Sequence, residues 1–181
     1  MRIISGKFGG RSFQPPANMP YTRPTTDIAK EGLFNIIQNN IEIEGIKTLD
    51  LFGGTGSITY ELASRGAADQ TIVEKDVQMS AFINTMCKKL GIDVKLVKMD
   101  VFKFMEQCQE QFDFIFAGPP YALGTIDEIP KLIVEKKLLK EGGWFVLEHT
   151  PRNSYKNFES FKAERNYGTT IFSIFVNSKN K

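Results

Sequence analysis

The sequence has few cysteines, a single histidine and no long apolar run, and each shortage excludes a class of protein. Cys87 and Cys108 are far apart and neither has a C-x-x-C partner, which excludes a disulfide framework and a cysteine zinc site. Beside His149, the only histidine, no second metal ligand stands at a recognisable spacing. No apolar run approaches the roughly 20 residues that cross a bilayer, and the N-terminus lacks the apolar core of a signal peptide. A cytoplasmic protein without a metal is therefore expected.

The net charge of +2 is too small to indicate a nucleic-acid partner by itself, but the positive charge is concentrated at the N-terminus. Residues 1–30 carry five basic side chains and one acidic side chain, whereas residues 31–181 carry 18 and 20. This pattern is typical either of a solvated basic arm or of a segment that contacts nucleic acid. The candidate contacts are Arg2, Lys7, Arg11 and Arg23.

Residues 1–25 differ in pattern from the rest of the chain. Two strand-like pieces, Arg2 to Ser5 and Arg11 to Gln14, are separated by glycines and predict a small β-hairpin. Four prolines make residues 15–25 an extended linker, because a proline ring fixes φ and disfavours helix in the residue before it. We therefore predict a basic N-terminal hairpin and linker over residues 1–25, followed by one larger domain over residues 26–181.

From residue 26 onward, helical and strand patterns alternate, which predicts an α/β fold with a parallel sheet between helices. An apolar stripe from Ala29 to Ile37 predicts a first helix, capped by Thr25 or Thr26. Two segments, Phe158–Glu164 and Thr169–Val176, predict an antiparallel hairpin that closes one sheet edge. Further strands are predicted near 46–52, 70–74, 94–98, 112–117 and 143–148, and helices near 56–65, 77–90, 101–109 and 126–139.

Ligands of such sheets bind outside the carboxyl ends of the strands, so residues at the predicted strand ends are the candidates. The first strand ends in Leu49-Asp50-Leu51-Phe52-Gly53-Gly54-Thr55-Gly56, where glycines let a ligand approach the backbone. Asp50 is a candidate acceptor for a ligand ammonium, directly or through water; alternatively it ties the glycine loop by accepting from backbone N–H groups. Glu74, 24 residues later, matches the spacing of carboxylates that bind ribose hydroxyls.

The third strand ends at Asp100, which is either an acceptor for an adenine amino group or the N-cap of the next helix. The glycine loop argues against a dinucleotide, because Thr59 stands where a G-x-G-x-x-G pattern starting at Gly54 needs its third glycine. No G-x-x-x-x-G-K-[ST] phosphate loop is present either. These residues fit an adenosine-sized ligand with a positively charged end and no pyrophosphate. S-adenosylmethionine is such a ligand.

The fourth strand ends in Phe116-Ala117-Gly118-Pro119-Pro120-Tyr121. Because prolines have no backbone donor, the carbonyls of this segment are candidates to accept hydrogen bonds from a ligand amine. Tyr121 is a candidate to stack on a base that has been taken out of its helix, which offsets part of the unstacking cost. The alternative is a tight proline turn with Tyr121 in the core.

Several segments, in their order along the chain, match one known family. They are Met1 to Gly6, Thr22 to Thr26, Lys30 to Asn35, Leu49 to Gly56, Ser64 to Ala67, Val73 to Asp76, Pro119 to Tyr121, Gly142-Gly143 and Glu148-His149. Together they resemble the RsmD-type family, bacterial methyltransferases that act on guanine N2 of small-subunit (16S) ribosomal RNA.

The resemblance covers nearly the whole chain. It implies a class I S-adenosylmethionine-dependent methyltransferase fold, which is Rossmann-like, with a mostly parallel seven-stranded sheet and an antiparallel C-terminal strand. RNA contacts are expected from the basic N-terminal region. Cofactor contacts are expected at Asp50, Phe52, Gly53, Gly54, Thr55, Gly56, Glu74, Lys75, Asp100 and Val101, and the catalytic segment at Gly118, Pro119, Pro120 and Tyr121.

One residue departs from the family pattern, which has Asp-Pro-Pro-Tyr or Asp-Pro-Pro-Phe where this chain has Gly118. The missing carboxylate would accept a hydrogen bond from the target amine and orient its lone pair, so its loss removes a transition-state contact. The carbonyls of Gly118 and Pro119 are the expected replacement, and Asp27 is a further candidate. His149 is a candidate general base, although a single histidine at a strand end is more often structural.

The sequence therefore predicts S-adenosylmethionine-dependent methylation of the exocyclic N2 amine of a guanine in small-subunit (16S) ribosomal RNA. The expected partner is that RNA or the assembling 30S particle, and a monomer is expected. One alternative is an adenine-N6 methyltransferase on RNA or DNA. A second, motivated by Gly118, is a catalytically silent methyltransferase fold that binds rRNA. A Rossmann oxidoreductase is the third.

Overall fold

Seven strands and five helices build the part of the chain that the structure describes. The computed structural model describes residues 1–18 and 24–178. Within these residues, no helix combines the length and apolar character that crossing a bilayer requires. The strands are β1 (Lys47–Leu51), β2 (Asp69–Val73), β3 (Val94–Val97), β4 (Phe112–Ala117), β5 (Leu139–His149), β6 (Phe161–Tyr167) and β7 (Thr170–Val176). The helices are α1 (Asp27–Asn40), α2 (Ser57–Ser64), α3 (Val77–Leu90), α4 (Val101–Gln107) and α5 (Glu128–Glu135).

The seven strands form one sheet in the order β3-β2-β1-β4-β5-β7-β6. Strands β1 to β5 pair in parallel, and β7 runs antiparallel to both β5 and β6. The predicted mostly parallel sheet with an antiparallel C-terminal strand is therefore confirmed. Chain order reverses between β1 and β4, and ligands of such sheets bind outside the carboxyl ends of the strands at this switch point.

Helices cover both faces of the sheet, which explains why the central strands are nearly continuous apolar runs. On one face, Leu33 and Phe34 of α1 pack with Phe114 and Phe172 of the sheet. On the other face, helices α4 and α5 pack on the sheet through apolar side chains that include Met105. The sequence from Phe112 to Ala117 is buried at five of its six positions, because both of its faces are covered.

The N-terminal segment pairs with itself and packs on the domain. The predicted hairpin is present as an antiparallel pairing of residues 1–3 with residues 10–13, with one β-bridge between Arg2 and Ser12. Ile3 and Phe8 are buried in a cluster that includes Tyr60 of α2 and apolar residues of β2 and α3. This segment is therefore part of the hydrophobic core and not a free arm.

The predicted bounds differ most from the observed ones in α5, β5 and β6. Helix α5 ends at Glu135 and not at residue 139, because Lys137 adopts a left-handed φ of 52° and the Leu138 N–H donates back to the Ile133 carbonyl. Strand β5 begins at Leu139 and not at 143, because Leu139 pairs with Phe112 of β4 ahead of the irregular part of the pairing, which contains Gly142 with φ of 77°. Strand β6 begins at Phe161 and not at residue 158.

Candidate active site

Asp50 lies at the switch point of the sheet with an enclosed carboxyl group. It is the fourth residue of β1, in register with Ile72 of β2 and Phe116 of β4, and its side chain accepts a hydrogen bond from the Thr59 hydroxyl at 2.8 Å. Burial, with a smaller effect of the Glu74 charge, raises the pKa of Asp50 to about 7. A cation beside this group would favour its ionised form.

Glu74 holds the glycine turn that follows β1. One carboxylate oxygen accepts from the Gly54 N–H at 2.9 Å, and the other accepts from the Asp76 N–H at 2.8 Å. One role suggested for Asp50 from the sequence was to tie the glycine loop by accepting from backbone N–H groups. In the structure, Glu74 has this role. A carboxylate has about four acceptor positions, so ribose hydroxyls can bind Glu74 as well. The ribose contact stays a prediction.

The turn itself is tightly fixed by its neighbours. Phe52 has φ of 61°, a left-handed conformation that is costly for a residue with a Cβ and that concentrates at ligand sites. Gly56 also has a positive φ, and a Cβ there would lie 2.4 Å from the Tyr60 hydroxyl oxygen. That hydroxyl is buried without a hydrogen-bond partner among the described residues. The turn is therefore shaped before any ligand binds.

Asp100 caps helix α4 at the end of the third strand. One carboxylate oxygen accepts from the Phe102 N–H at 2.9 Å and from the Lys103 N–H at 3.2 Å. The N-cap interpretation is therefore confirmed. The adenine contact stays a prediction, as do the cofactor contacts of Lys75, which is exposed, and Val101, which is buried.

A small cavity joins the glycine turn to the proline segment after β4. Its volume is about 40 Å³, and its lining includes Asp50, Gly53, Gly54 and Gly118. Sites that enclose a small molecule usually exceed roughly 300 Å³, so most of an adenosine-sized ligand would lie along the open strand edge. The predicted cofactor turn and the predicted catalytic segment are thus brought together at one opening.

The structure brings to the site a side chain to which no role was assigned from the sequence. Glu148, near the end of β5, lines the same cavity and is 3% exposed. Its carboxylate accepts from the Thr25 hydroxyl at 2.6 Å and lies 3.5 Å from the Tyr121 hydroxyl. The sequence did contain one signal for Glu148, because it is an acid at a predicted strand end, like Asp50 and Glu74. Its place between two loops could not be read from the sequence.

His149 was a candidate general base, and Asp27 was a candidate replacement for the missing family aspartate. His149 is fully buried, and its ring nitrogens lie 2.7 Å from the Ser173 hydroxyl and 2.8 Å from the Thr150 carbonyl. Burial lowers the pKa of His149, which opposes the charged form. Asp27 lies in the first turn of α1, 3.8 Å from the Arg2 guanidinium. These contacts favour structural roles for both residues.

The basic N-terminal side chains lie on the surface. Arg2, Lys7 and Arg11 are exposed, whereas Arg23 lies outside the described residues. The Lys7 ammonium and the Arg11 guanidinium lie 5.4 Å and 5.2 Å from the centre of the Phe8 ring, so the buried ring positions two cations together. Their contact with RNA stays a prediction.

The chemistry of the strand edge fits a positively charged cofactor. Asp50 and Glu74 are 3% and 8% exposed, and neither forms an ion pair with a described residue. Buried negative charge is costly unless a cation compensates it. S-adenosylmethionine carries a sulfonium and an ammonium and has no phosphate, so its charge matches these groups. The pyrophosphate of a nicotinamide dinucleotide would be repelled, which disfavours the oxidoreductase alternative.

A larger cavity of about 860 Å³ lies elsewhere. It is lined by residues beside the starts of β4 and β5, including Gln111 and Leu139, and by apolar residues such as Phe158. The starts of parallel strands lie at the edge opposite their carboxyl ends, so this cavity is remote from Asp50 and Gly118. Ligands of this sheet type bind at the other edge.

Comparison with known proteins agrees with this geometry. The family model described as Conserved hypothetical protein 95 matches residues 1–176. Ribosomal RNA small subunit methyltransferase D of Escherichia coli K12 is 32% identical over 150 residues, covering 82% of this chain and 71% of that protein. The solved structure of the Thermus thermophilus hypothetical protein TTHA0928 has a TM-score of 0.84 at 25% identity, covering 97% of this chain and 98% of that chain.

A second solved structure identifies the fold. The T. thermophilus 16S rRNA N2 G1207 methyltransferase RsmC, in complex with AdoMet and guanosine, has a TM-score of 0.68 at 22% identity, covering 84% of this chain and 44% of that chain. This likeness confirms the predicted class I methyltransferase fold. Together with the family match and the relative from E. coli, it agrees with the resemblance noted in the sequence. The chain belongs to the RsmD-type methyltransferase family.

Proposed function

We propose that this protein transfers the methyl group of S-adenosylmethionine to the exocyclic N2 amine of a guanine in small-subunit ribosomal RNA. The observation that carries the proposal is the cavity that Gly54 of the cofactor turn shares with Gly118 of the proline segment. The named activity of the E. coli relative and the guanosine held by RsmC support the choice of substrate. We further propose that the protein acts as a monomer on this RNA or on the assembling 30S particle.

Family membership gives S-adenosylmethionine as the methyl donor. Asp50 and Glu74 would hold its positively charged part and its ribose, and Asp100 its adenine. When bound, the cofactor would supply a methyl group on a positively charged sulfur, for direct transfer to the amine without a covalent enzyme intermediate. Tyr121 stacks on the extruded base, and the carbonyls of Gly118 and Pro119 hold it in place.

Cofactor affinity is expected to rise with pH through the titration of Asp50. Because the pKa of Asp50 is raised to about 7, the free protein carries mostly the neutral acid at pH 6 and mostly the carboxylate at pH 7.5. A cationic ligand selects the carboxylate, so the Kd for S-adenosylmethionine should fall about eightfold between these pH values. Isothermal titration calorimetry at the two pH values measures this change.

The matched variant is Asp50→Asn, which keeps an oxygen for the Thr59 hydroxyl but does not titrate. It should bind the cofactor more weakly, with a Kd that is the same at both pH values apart from any titration of the ligand itself. A wild-type Kd that is as independent of pH as that of the variant contradicts the role of Asp50.

RNA affinity is expected to depend on the exposed cations beside Phe8. The double variant Lys7→Ala/Arg11→Ala should weaken binding to small-subunit rRNA and reduce the slope of log affinity against log salt by about 2, since each lost phosphate contact removes about one unit. Filter binding over a series of salt concentrations measures the slope. Lys131→Ala/Lys136→Ala removes two cations from α5 and the residue that follows it and should leave the slope unchanged. Equal slopes for wild type and both variants would exclude Lys7 and Arg11 as RNA contacts.

The test of the proposed function is methyl incorporation into small subunits purified from a strain that lacks this protein. Radiolabelled S-adenosylmethionine is added with the purified protein, the rRNA is digested, and the methylated nucleoside is identified by mass spectrometry. N2-methylguanosine is the expected product. Parallel reactions with naked rRNA and with assembled subunits show which of them is the substrate.

Two alternatives give different results in the same assay. N6-methyladenosine would identify an adenine methyltransferase. Binding of cofactor and rRNA without methyl incorporation would identify the silent binding fold, which the glycine at position 118 motivates.

A further inference from the structure

Glu148 stands beside the position where the family aspartate is missing. Strands β4 and β5 are parallel, with Phe116 opposite Val146 and Ala117 opposite Leu147. Gly118 directly follows the last residue of β4, and the same register extended by one residue places it opposite Glu148. Residues in register on neighbouring strands point to the same face of a sheet, and both of these residues line the cavity beside the glycine turn.

We propose that Glu148 is a catalytic residue whose carboxylate accepts a hydrogen bond from the N2 amine of the target guanine. It takes this task in place of the aspartate that Gly118 replaces. The inference rests on the proposed function and deepens it by naming the side chain that binds the reacting amine.

The contacts of Glu148 hold its carboxylate between the two parts of the site. Thr25, just before α1, donates to one oxygen at 2.6 Å. The other oxygen lies 3.5 Å from the hydroxyl of Tyr121, which is itself 3.1 Å from the hydroxyl of Thr170. Because Tyr121 is the proposed stacking residue, a base on its ring would lie close to this carboxylate. A carboxylate accepts about four hydrogen bonds, so a bond from the amine adds to these contacts.

Burial strengthens the effect of the carboxylate on the reacting amine. Glu148 is 3% exposed, and a hydrogen bond to a charged group is stronger where water is excluded. Methyl transfer forms an N–C bond at N2 and breaks the sulfur–methyl bond, whose electron pair stays on sulfur. The amine nitrogen then has one proton too many. Glu148 accepts this proton and passes it to solvent, which leaves N2-methylguanine and the ionised carboxylate.

The competing role is positioning alone, in which Glu148 only orders Thr25 and Tyr121. The two roles separate by rescue, because an aspartate at position 118 restores a carboxylate but not the contacts of Glu148. The position has room for it: a Cβ on Gly118 lies 3.1 Å from Cε1 of Phe116, a contact that a small shift of the ring relieves. The backbone φ at Gly118 is outside the left-handed region, so a side chain is not strained there.

The test measures methyl transfer to small-subunit rRNA by wild type and three variants, together with their S-adenosylmethionine affinity and melting temperature. Glu148→Gln should lower kcat at least 30-fold while the cofactor Kd stays within about twofold, since one aligned contact to the reacting centre is worth about 10²- to 10³-fold. The double variant Gly118→Asp/Glu148→Gln should have a kcat at least tenfold higher than that of Glu148→Gln. Gly118→Ala/Glu148→Gln adds the Cβ without the carboxylate and should recover nothing.

A second measurement does not depend on turnover. With S-adenosylhomocysteine bound, wild type should bind guanosine several-fold more tightly than inosine, which lacks the 2-amino group. Glu148→Leu, whose side chain has no hydrogen-bond acceptor, should bind the two nucleosides with equal affinity. A wild-type protein that does not distinguish them overturns the proposed contact.

The remaining outcomes of the methylation assay separate the inference about Glu148 from the proposed function. If wild type is active and Glu148→Gln keeps kcat within threefold, the inference is wrong and the proposed function stands. If Glu148→Gln is inactive but the aspartate variant recovers no more than the alanine variant, Glu148 only positions its neighbours and the inference is overturned. If wild type makes no N2-methylguanosine, the proposed function fails and the inference fails with it.

Discussion

Methyl transfer is expected to fall about 10- to 100-fold when Tyr121 is replaced by alanine, because stacking of a base on an aromatic ring is worth about 1–3 kcal/mol. Tyr121 is half-buried, and its hydroxyl contacts Thr170 and Glu148, so its ring is held beside a residue that lines the cavity. The proposed cofactor contacts, Asp50 and Glu74, are left in place by the substitution. The affinity for S-adenosylmethionine should therefore be unchanged. Single-turnover methylation and calorimetry measure the two quantities.

The matched control is Tyr121→Phe, which keeps the ring and removes only the hydroxyl. If stacking is the main role, the phenylalanine variant should stay within about threefold of wild type. Equal losses in both variants would assign the effect to the hydroxyl contacts. A rate for Tyr121→Ala that equals the wild-type rate would contradict the stacking role.

Glu61→Ala is expected to be the most destabilising substitution outside the site. Glu61 is fully buried, accepts from the backbone N–H groups of Ile4 and Ser5 at 2.8 Å and 3.1 Å, and pairs with Lys30 at 3.5 Å and Arg65 at 3.0 Å. Its removal leaves Lys30, 1% exposed, without its carboxylate partner. Breaking a buried ion pair costs about 3–5 kcal/mol, so the melting temperature should fall by roughly 10 °C.

The pH dependence of this loss follows from the remaining lysine. Burial lowers the pKa of Lys30 from 10.5, and the Glu61 charge opposes the shift. Without Glu61 the folded-state pKa drops further below the unfolded value. The folded protein then binds fewer protons than the unfolded chain, so its stability should rise as pH increases towards 10.5. Urea unfolding at pH 7 and pH 9 measures this recovery.

The control for Glu61→Ala is Glu128→Ala, which breaks the exposed pair with Lys131 on α5. Such pairs contribute about 0–1 kcal/mol, so the melting temperature of this variant should hardly change. Hydrogen exchange of residues 1–13 should rise in the Glu61 variant only, because Glu61 holds that segment on α2. Equal melting temperatures for the two variants would contradict the account of the buried network.

The strand-end rule explains how much of the site could be predicted from sequence. Parallel strands present their carboxyl ends at one edge, so acids at the predicted ends of β1, β2 and β3 had to lie together. Asp50, Glu74 and Asp100 were identified in this way. The hydrogen-bond partners of Asp50 and Glu74 were not predicted. The path of the glycine turn in space decides which acid accepts from its N–H groups, and the sequence does not show that path. The contact of Glu74 with Gly54 spans 20 residues and two strands.

Glu148 shows the limit of this reasoning. Its partner Thr25 is 123 residues away and follows a proline-rich stretch that has no periodicity. No local pattern predicts such a contact. The N-terminal hairpin is similar, because its alternation predicts the pairing, but the network of Glu61 that docks it on α2 joins residues more than 50 positions apart.

The wrong boundaries of α5 and β5 have different causes. Lys137 ends α5 four residues early, and local propensity does not predict a lysine with φ of 52°. The observed strand β5 is longer than predicted, because the pairing of Leu139 with Phe112 of β4 extends it to the N-terminal side of Gly142-Gly143. In β5, tertiary pairing overrode propensity.

The carboxylate-lined edge beside the glycine turn is proposed to bind S-adenosylmethionine. Isothermal titration calorimetry of the purified protein with this cofactor tests the proposal most directly. One saturable binding event per chain is expected, with competition by S-adenosylhomocysteine. A titration without saturable heat, in a protein that melts cooperatively and is therefore folded, would contradict it.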